Sequence, residues 1–372
     1  MYLSTKLSKH FIMNKNHNYC VIMGGGIGSR FWPVSRKSLP KQFLDFFGTG
    51  RTLLQQTFDR FHKILPLENI FIVTNALYAE LIKEQLPELN PGQILLEPTR
   101  RNTAPCIAWA SYHIQAIDPE ANIVVTPSDH LILKENDFLS AISHSLDFAS
   151  QNNKLVTLGI KPNRPETRYG YIQIDEERKD DFYKVKTFTE KPELELAKVF
   201  VESGEFYWNS GLFMWNVNSV IKAVEALLPE LASKLIPGKD VYGTPAEKAF
   251  IDENFPACPN VSVDFGIMEK ADNVYVSLGD FGWSDLGTWG SLYDLSPKDK
   301  EGNVTLKCES LMYNSKDNIV VLPQNKLAVI DGLEGYLIAE SDNVLLICKK
   351  DEEHSIRKYV NDAQIKLGED YI

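Results

Sequence analysis

The sequence predicts an α/β fold: a mostly parallel sheet covered by helices on both faces, followed by a small β-rich region. Three observations carry this reading. Strand-like and helix-like segments alternate from Tyr19 to Ile160, the pattern of parallel strands joined by crossover helices. The first strand runs directly into a glycine loop, Gly24-Gly25-Gly26-Ile27-Gly28-Ser29-Arg30, and such sheets bind ligands outside the carboxyl ends of their strands. After about residue 295 the texture changes to short β-like runs separated by Asp, Asn and Gly.

The elements follow in order. Tyr19 to Met23 is a short apolar run of the kind buried in parallel sheets. Thr52 to Leu65 places apolar residues at helical spacing, and Thr52 with Gln55 supplies a capping box. Ile70 to Thr74, Gln93 to Glu97, Asn122 to Thr126 and Lys154 to Ile160 are the next strands. Leu77 to Leu86, Ala104 to Ile117 and Phe138 to Ser150 are the helices between them, with Pro105 in a first turn where its missing N–H costs nothing. Because Gly24, Glu97 and Asp129 all follow strand ends, one crevice is expected to gather them. In the tail, Asn318 to Leu322, Leu327 to Ile330, Tyr336 to Ala339 and Val344 to Cys348 read as strands, without a repeat sharp enough to give an architecture. The expected organisation is an extension over residues 1–18, a main domain over 19–295 and a β-rich domain over 296–372.

Charge and cysteine content narrow the function. The 372 residues carry 39 Lys and Arg against 50 Asp and Glu, a net charge of −11. That sign repels phosphate backbones and argues against nucleic acid as a partner, while leaving room for a local basic pocket. Five cysteines with no C-x-x-C pair suggest neither a disulfide framework nor a zinc site, and fit a reducing cytoplasm. No apolar run approaches a membrane span, and the opening segment, with Lys6, Lys9 and Lys15, does not read as a signal peptide.

Glycines let backbone N–H groups approach a phosphate closely. The dinucleotide fingerprint needs a third glycine where Phe31 stands, and Trp32-Pro33 interrupts the helix that should follow. No Gly-Lys-Ser/Thr occurs, so the Walker pattern fails as well. What remains is a glycine loop with two nearby cations, Arg30 and Lys41, suited to a triphosphate whose charge must be neutralised during transfer.

The stretch from Gly24 to Arg36, Gly-Gly-Gly-Ile-Gly-Ser-Arg-Phe-Trp-Pro-Val-Ser-Arg, with Pro40-Lys41-Gln42-Phe43, resembles the signature of mannose-1-phosphate guanylyltransferases. Further matches come in the family's order. Glu97-Pro98 and Arg101-Asn102-Thr103-Ala104-Pro105 resemble its base-binding segment, and Thr126-Pro127-Ser128-Asp129-His130 its metal-binding strand end. Phe188-Thr189-Glu190-Lys191-Pro192 resembles the sugar-phosphate motif. Trp208-Asn209-Ser210-Gly211 and the run from Ser262 to Lys270 resemble the sugar pocket, and Trp283 to Trp289 the second metal position.

The resemblance implies a Rossmann-like, glycosyltransferase-A-like nucleotidyltransferase domain of three layers with a mixed sheet. It also implies transfer of GMP from GTP to α-D-mannose 1-phosphate, giving GDP-mannose and pyrophosphate. Arg30 and Lys41 become the catalytic candidates. Gly24, Gly25, Gly26, Gly28, Ser29, Glu97, Asn102, Thr103 and Ser128 are the nucleotide-binding candidates. Glu190, Lys191, Asn209 and Asp264 would hold the sugar phosphate, and Asp129 and Asp285 would hold Mg²⁺. Trp208 reads as a sugar platform or a core aromatic, and His130 as structural. The tail, without a matched chemical motif, is expected to serve packing, regulation or assembly of a homo-oligomer. Two alternatives stay open: the same reaction with another sugar 1-phosphate or nucleoside triphosphate, and a non-catalytic nucleotide-sugar sensor.

Overall fold

The computed structural model describes residues 17–26 and 28–372, so the extension expected over 1–18 lies almost wholly outside the described residues. Two compact units emerge, and they interleave along the chain. The first holds the residues up to Gly25, Phe58–Ser128 and Ile132–Trp283; the second holds Gly26–Thr57, Asp129–Leu131 and Ser284–Ile372.

The first unit is built on a nine-stranded sheet. Its strands are β1 (Asn18–Met23), β2 (Ile70–Asn75), β3 (Ile94–Glu97), β4 (Asn122–Pro127), β6 (Leu155–Ile160), β7 (Tyr171–Lys179), β8 (Phe182–Thr189), β9 (Phe206–Asn216) and β10 (Val274–Gly279). Two-residue strands, β5 (Leu131–Ile132) and β11 (Trp283–Ser284), stand outside it. The order is β3-β2-β1-β4-β9-β6-β10-β8-β7. β3, β2, β1 and β4 pair in parallel, as do β6 and β10. β9 runs antiparallel to β4, β6 and β7, and β8 antiparallel to β10 and β7. The sheet is therefore mixed but mostly parallel, as the family resemblance implied. Every residue of β2 and of β6 is buried, which is why these strands are mostly apolar rather than alternating. The helix Thr103–Ile117 is buried continuously from Ala104 to Ile114, as a helix apolar on all sides must be. Its side chains join Val21, Phe71, Val125, Phe213 and Trp215 in one core.

The second unit is a set of parallel β coils with helices at its margins. β12 (Val304–Leu306), β14 (Ile319–Val321) and β16 (Tyr336–Ser341) stack in parallel, and β17 (Val344–Lys349) closes that sheet antiparallel to β16. β13 (Glu309–Tyr313) and β15 (Leu327–Asp331) form a second parallel pair. Asn303 and Asn318 stack between coils: the Asn318 amide and backbone N–H both donate to Asn303 Oδ1, at 2.9 and 3.1 Å. The tail is β-rich as expected, and the helix Ile356–Leu367 follows the coils. The core of this unit gathers Phe31, Trp32, Val34, Phe46 and Leu53 with Trp289, Leu292, Ile319, Leu337 and Ile356. The residues after the glycine loop and the tail thus bury one another. The Thr52–Gln55 box forms as expected, with Thr52 N donating to Gln55 Oε1 at 2.9 Å and Gln55 N to Thr52 Oγ1 at 3.3 Å.

Candidate functional site

In the second unit the glycine loop enters a short turn, Ser29–Phe31, and Pro40 leads into another, Lys41–Phe43. Gly28 has φ +62°, and a Cβ there would strike the Lys41 Cβ and come within 3.0 Å of the Lys41 N and Ser35 Oγ. Glycine is therefore required at Gly28, both for its left-handed backbone and for the close approach of Lys41. Gln42 is buried and its amide donates to the Gly26 carbonyl at 2.9 Å, so the Lys-Gln-Phe motif fixes the loop as well as supplying its cation.

Lys41 is the centre of this arrangement. Its side chain is 6% exposed. Its Nζ lies 3.0 Å from Asp129 Oδ2, donates to the Asp285 carbonyl at 2.6 Å, and sits 5.9 Å from the Phe31 ring centre. Burial alone would push the Asp129 carboxyl up; the Lys41 ammonium, His130 and hydrogen bonds from Lys41 and the Asp129 backbone outweigh it and hold the group below its ordinary value. Asp285 Oδ1 accepts from Gly287 N at 3.0 Å. These residues line a cavity of about 280 Å³ together with Gly28, Ser29, Arg30, His130 and Arg357. Arg30, Lys41, Asp129 and Asp285, far apart in sequence, thus meet in one concavity. The reading of the motifs missed Arg357.

Trp32 and Arg36, quoted within the loop signature, do something else. Trp32 Nε1 donates to the Tyr371 carbonyl at 2.7 Å. The Arg36 guanidinium donates to the carbonyls of Ser341 at 2.7 Å and Asp370 at 3.3 Å, and to Asn343 Oδ1 at 3.0 Å. They fasten the tail to the loop. The tail therefore packs, as expected, and through Arg357 it also reaches the cavity.

In the first unit, Gly24, Gly25, Glu97 and Ser128 converge at the carboxyl ends of β1, β3 and β4. Gly24 N donates to the Val73 carbonyl at 2.8 Å and its own carbonyl accepts from Thr74 Oγ1 at 2.9 Å. Ser128 N donates to the Met23 carbonyl at 3.1 Å. The Cβ position at Gly25 lies 3.8 Å from Glu97 Oε2. Glu97 is buried, accepts from the Cys106 thiol, and is pushed up to about 7 by burial, against the opposing pull of that hydrogen bond and of Arg100. Cys106 also donates to the Asn102 carbonyl at 2.8 Å. Asn102, at φ 68°, caps the helix Thr103–Ile117 by accepting from Thr103 N at 2.9 Å. The Thr103 hydroxyl oxygen accepts from Val263 N at 2.9 Å, which places the segment leading into Asp264.

A second polar group in this unit gathers the expected sugar-side residues. Asn209 lies on β9, and its amide donates to Asp264 Oδ1 at 2.9 Å while its Oδ1 accepts from Thr157 Oγ1 at 3.2 Å and Gly211 N at 3.1 Å. Asp264 opens a short π-helical turn, Asp264–Met268. Burial and the neighbouring Glu190 push its carboxyl up to about 6, against Asn209 and Lys191. Lys191 stands at φ 49° and pairs with Glu190, with a side chain 61% exposed. A Cβ at Gly170 would lie 2.5 Å from Glu190 Oε2 and 3.3 Å from the Asn209 Cβ. Gly170 is thus a further member of this group, and the aromatic pattern Tyr169-Gly170-Tyr171 was its only local signal. Trp208 is buried, edge-on to Tyr169 at 5.1 Å, beneath the Arg164 guanidinium at 5.3 Å.

Residues 19–302 match the family described as Nucleotidyl transferase. Mannose-1-phosphate guanylyltransferase 2 of Escherichia coli O157:H7 is 36% identical over 371 residues, covering 95% of this chain and 74% of that protein. This chain belongs to the mannose-1-phosphate guanylyltransferase family of nucleotidyl transferases. Another relative, the mannose-1-phosphate guanylyltransferase of Salmonella muenchen, is 38% identical over 346 residues, covering 92% and 72% of the two chains. A solved structure from Thermus thermophilus, described as a mannose-1-phosphate geranyltransferase, superposes with a TM-score of 0.84 at 28% identity over 94% of this chain and 99% of that one. The nucleotidyl transferase match takes in the glycine loop, Lys41, Asp129, Lys191, Asp264 and Asp285; Arg357 lies beyond it. Among the described residues no helix is long and apolar enough to cross a membrane.

Proposed function

We propose that the chain transfers GMP from GTP to α-D-mannose 1-phosphate, giving GDP-mannose and pyrophosphate. The observation that carries this reading is the meeting of Lys41, Arg30, Asp129 and Asp285 around one cavity, within a chain of this family. An oxygen of the sugar phosphate attacks the α-phosphorus in line. A new P–O bond forms, the bond between the α-phosphorus and the α–β bridging oxygen breaks, and its electron pair leaves with pyrophosphate. The attacking oxygen is already anionic near neutral pH, so no general base is needed. The protein's task is to align two anions and offset their repulsion.

Arg30 and Lys41 act on the triphosphate side. Asp129 and Asp285 fit Mg²⁺: they are hard carboxylate donors facing one cavity, and Mg²⁺ takes one or two carboxylates and leaves its other positions to phosphate and water. When bound, the ion would offset charge on the phosphates. Lys191 contacts the phosphate of mannose 1-phosphate, with Glu190, Asn209 and Asp264 on sugar hydroxyls. Glu97, Asn102 and Thr103 meet the base, where an ionised Glu97 would accept from the N1–H and amine of guanine.

The test is pyrophosphate release, with Mg²⁺, from a matrix of four nucleoside triphosphates and several sugar 1-phosphates. Highest turnover with GTP and mannose 1-phosphate is expected. A preference for UTP or dTTP would remove the guanine assignment, and no turnover with any pair would favour the sensor.

A further inference from the structure

The motifs that carry the family resemblance end at Trp289, yet the cavity around Lys41 is completed from beyond it. Arg357, on the first turn of the helix Ile356–Leu367, lines that cavity with Arg30, Lys41, Asp129 and Asp285. Its backbone is held firmly. Glu353 Oε2 accepts from Gly290 N at 2.9 Å, three residues beyond cavity-lining Gly287. Ile356 is 1% exposed in the core with Trp289 and Leu292. Farther along, Trp32 and Arg36 bind the carbonyls of Tyr371 and Asp370.

Charge distinguishes Arg357 from its neighbours. Lys41 is committed to Asp129 and to the Asp285 carbonyl, so part of its charge is already offset. Arg357 is exposed and, among the described residues, its guanidinium makes no hydrogen bond or ion pair. An exposed arginine is ordinarily a solvated surface charge. Here its backbone is fixed at the rim of a concavity that already holds two cations and two carboxylates. A guanidinium presents a planar fork that matches two oxygens of one phosphate.

We infer that Arg357 binds the terminal phosphates of the nucleoside triphosphate, the part that departs as pyrophosphate. The tail is then part of the substrate site. This inference rests on the nucleotidyl transfer proposed above.

The experiment uses the full chain, its Arg357→Gln and Arg357→Lys variants, and kinetics in both directions. Arg357→Gln should raise KM for GTP, and KM for pyrophosphate in the reverse reaction, by about tenfold. KM for mannose 1-phosphate and for GDP-mannose should stay near wild type. Arg357→Lys should recover only part of the loss, because a point charge replaces the fork. Calorimetric binding of inorganic pyrophosphate should weaken in the same order. The thermal midpoint should not move, since the side chain is exposed. Unchanged KM for pyrophosphate, or an equal rise for all four substrates, overturns the inference. Absence of turnover in the wild type would instead defeat the proposed reaction, and pyrophosphate calorimetry would still decide the role of Arg357.

Discussion

In the second unit, Lys41 is buried against Asp129 and the Asp285 carbonyl. In the first, Asp264 lies beside Glu190, with Asn209 as its hydrogen-bonded donor and the Lys191 side chain largely exposed. One group holds a cation against a carboxylate and a backbone carbonyl; the other holds two carboxylates together. The difference teaches where each unit is unfinished. A buried ion pair with its hydrogen bonds made is self-consistent without ligand, and an incoming phosphate must compete with Asp129 for Lys41. Burial, with the second carboxylate beside it, raises Asp264 toward protonation, and hydroxyl donors from a ligand would relieve it.

Breaking the Lys41 group should have the largest effect. Lys41→Ala should lower kcat by on the order of 100- to 1,000-fold, because it removes a cation aimed at charge that grows in the transition state. It also leaves Asp129 without its ammonium, so a lower thermal midpoint should accompany the loss. A variant that only raised KM for GTP would place Lys41 on the ground-state nucleotide alone.

The first unit should respond through binding. Lys191→Ala should raise KM for mannose 1-phosphate about 30-fold and leave KM for GTP nearly unchanged. A two-substrate kinetic matrix reads both constants. A rise for GTP instead would exchange the substrates between the two groups.

Asp129→Asn and Asp285→Asn should each increase the Mg²⁺ concentration needed for half-maximal rate by about tenfold, since both lose a charged oxygen ligand and keep their shape. An unchanged Mg²⁺ titration would remove that residue from the metal site.

The smallest effect separates the two groups by pH. The Asp264 carboxyl is raised to about 6 in the folded protein, against about 3.9 in an unfolded chain. Between those values the folded state holds the proton more tightly, so stability falls as pH rises from about 4 to about 6, then levels. Asp264→Asn should therefore raise the thermal midpoint at pH 7 by about 2–4 °C, and the gain should shrink as pH falls toward 4. Asp129 runs the other way: its lowered value contributes stability that is present near neutrality and lost on acidification. A pH-independent gain from Asp264→Asn would show that burial shape, rather than charge, is what the substitution relieves.

Sequence pattern revealed the half of the sheet whose strands are buried on both faces. β1, β2, β3, β4 and β6 were read within a residue or two, because strands such as β2 and β6, with no exposed residue, are mostly apolar along their length. The antiparallel insertion of β9 between β4 and β6 was not read from pattern, since strand order is a long-range property. The coils escaped notice for another reason. Val304 pairs with Ile319 and Ile319 with Leu337, offsets of 15 and then 18 residues, too uneven to stand out as a repeat. Motif order located Lys41, Asp129, Lys191 and Asp264 as candidates. It said nothing of Arg357, an arginine in a charged helix, nor that Trp32 and Arg36 would reach Tyr371 and Ser341.

The interleaving of the two units has a consequence for synthesis. Phe31, Trp32 and Phe46 emerge from the ribosome early, but their core partners Ile319, Leu337 and Ile356 come some 270 or more residues later. At ordinary translation rates that is a delay on the order of 15–60 seconds. During it the segment beside the glycine loop carries uncovered aromatic surface, while the sheet of the first unit can already close. Newly made chains should therefore pass through a stage that chaperones bind, and aggregation in the cell should track how quickly the last coils arrive.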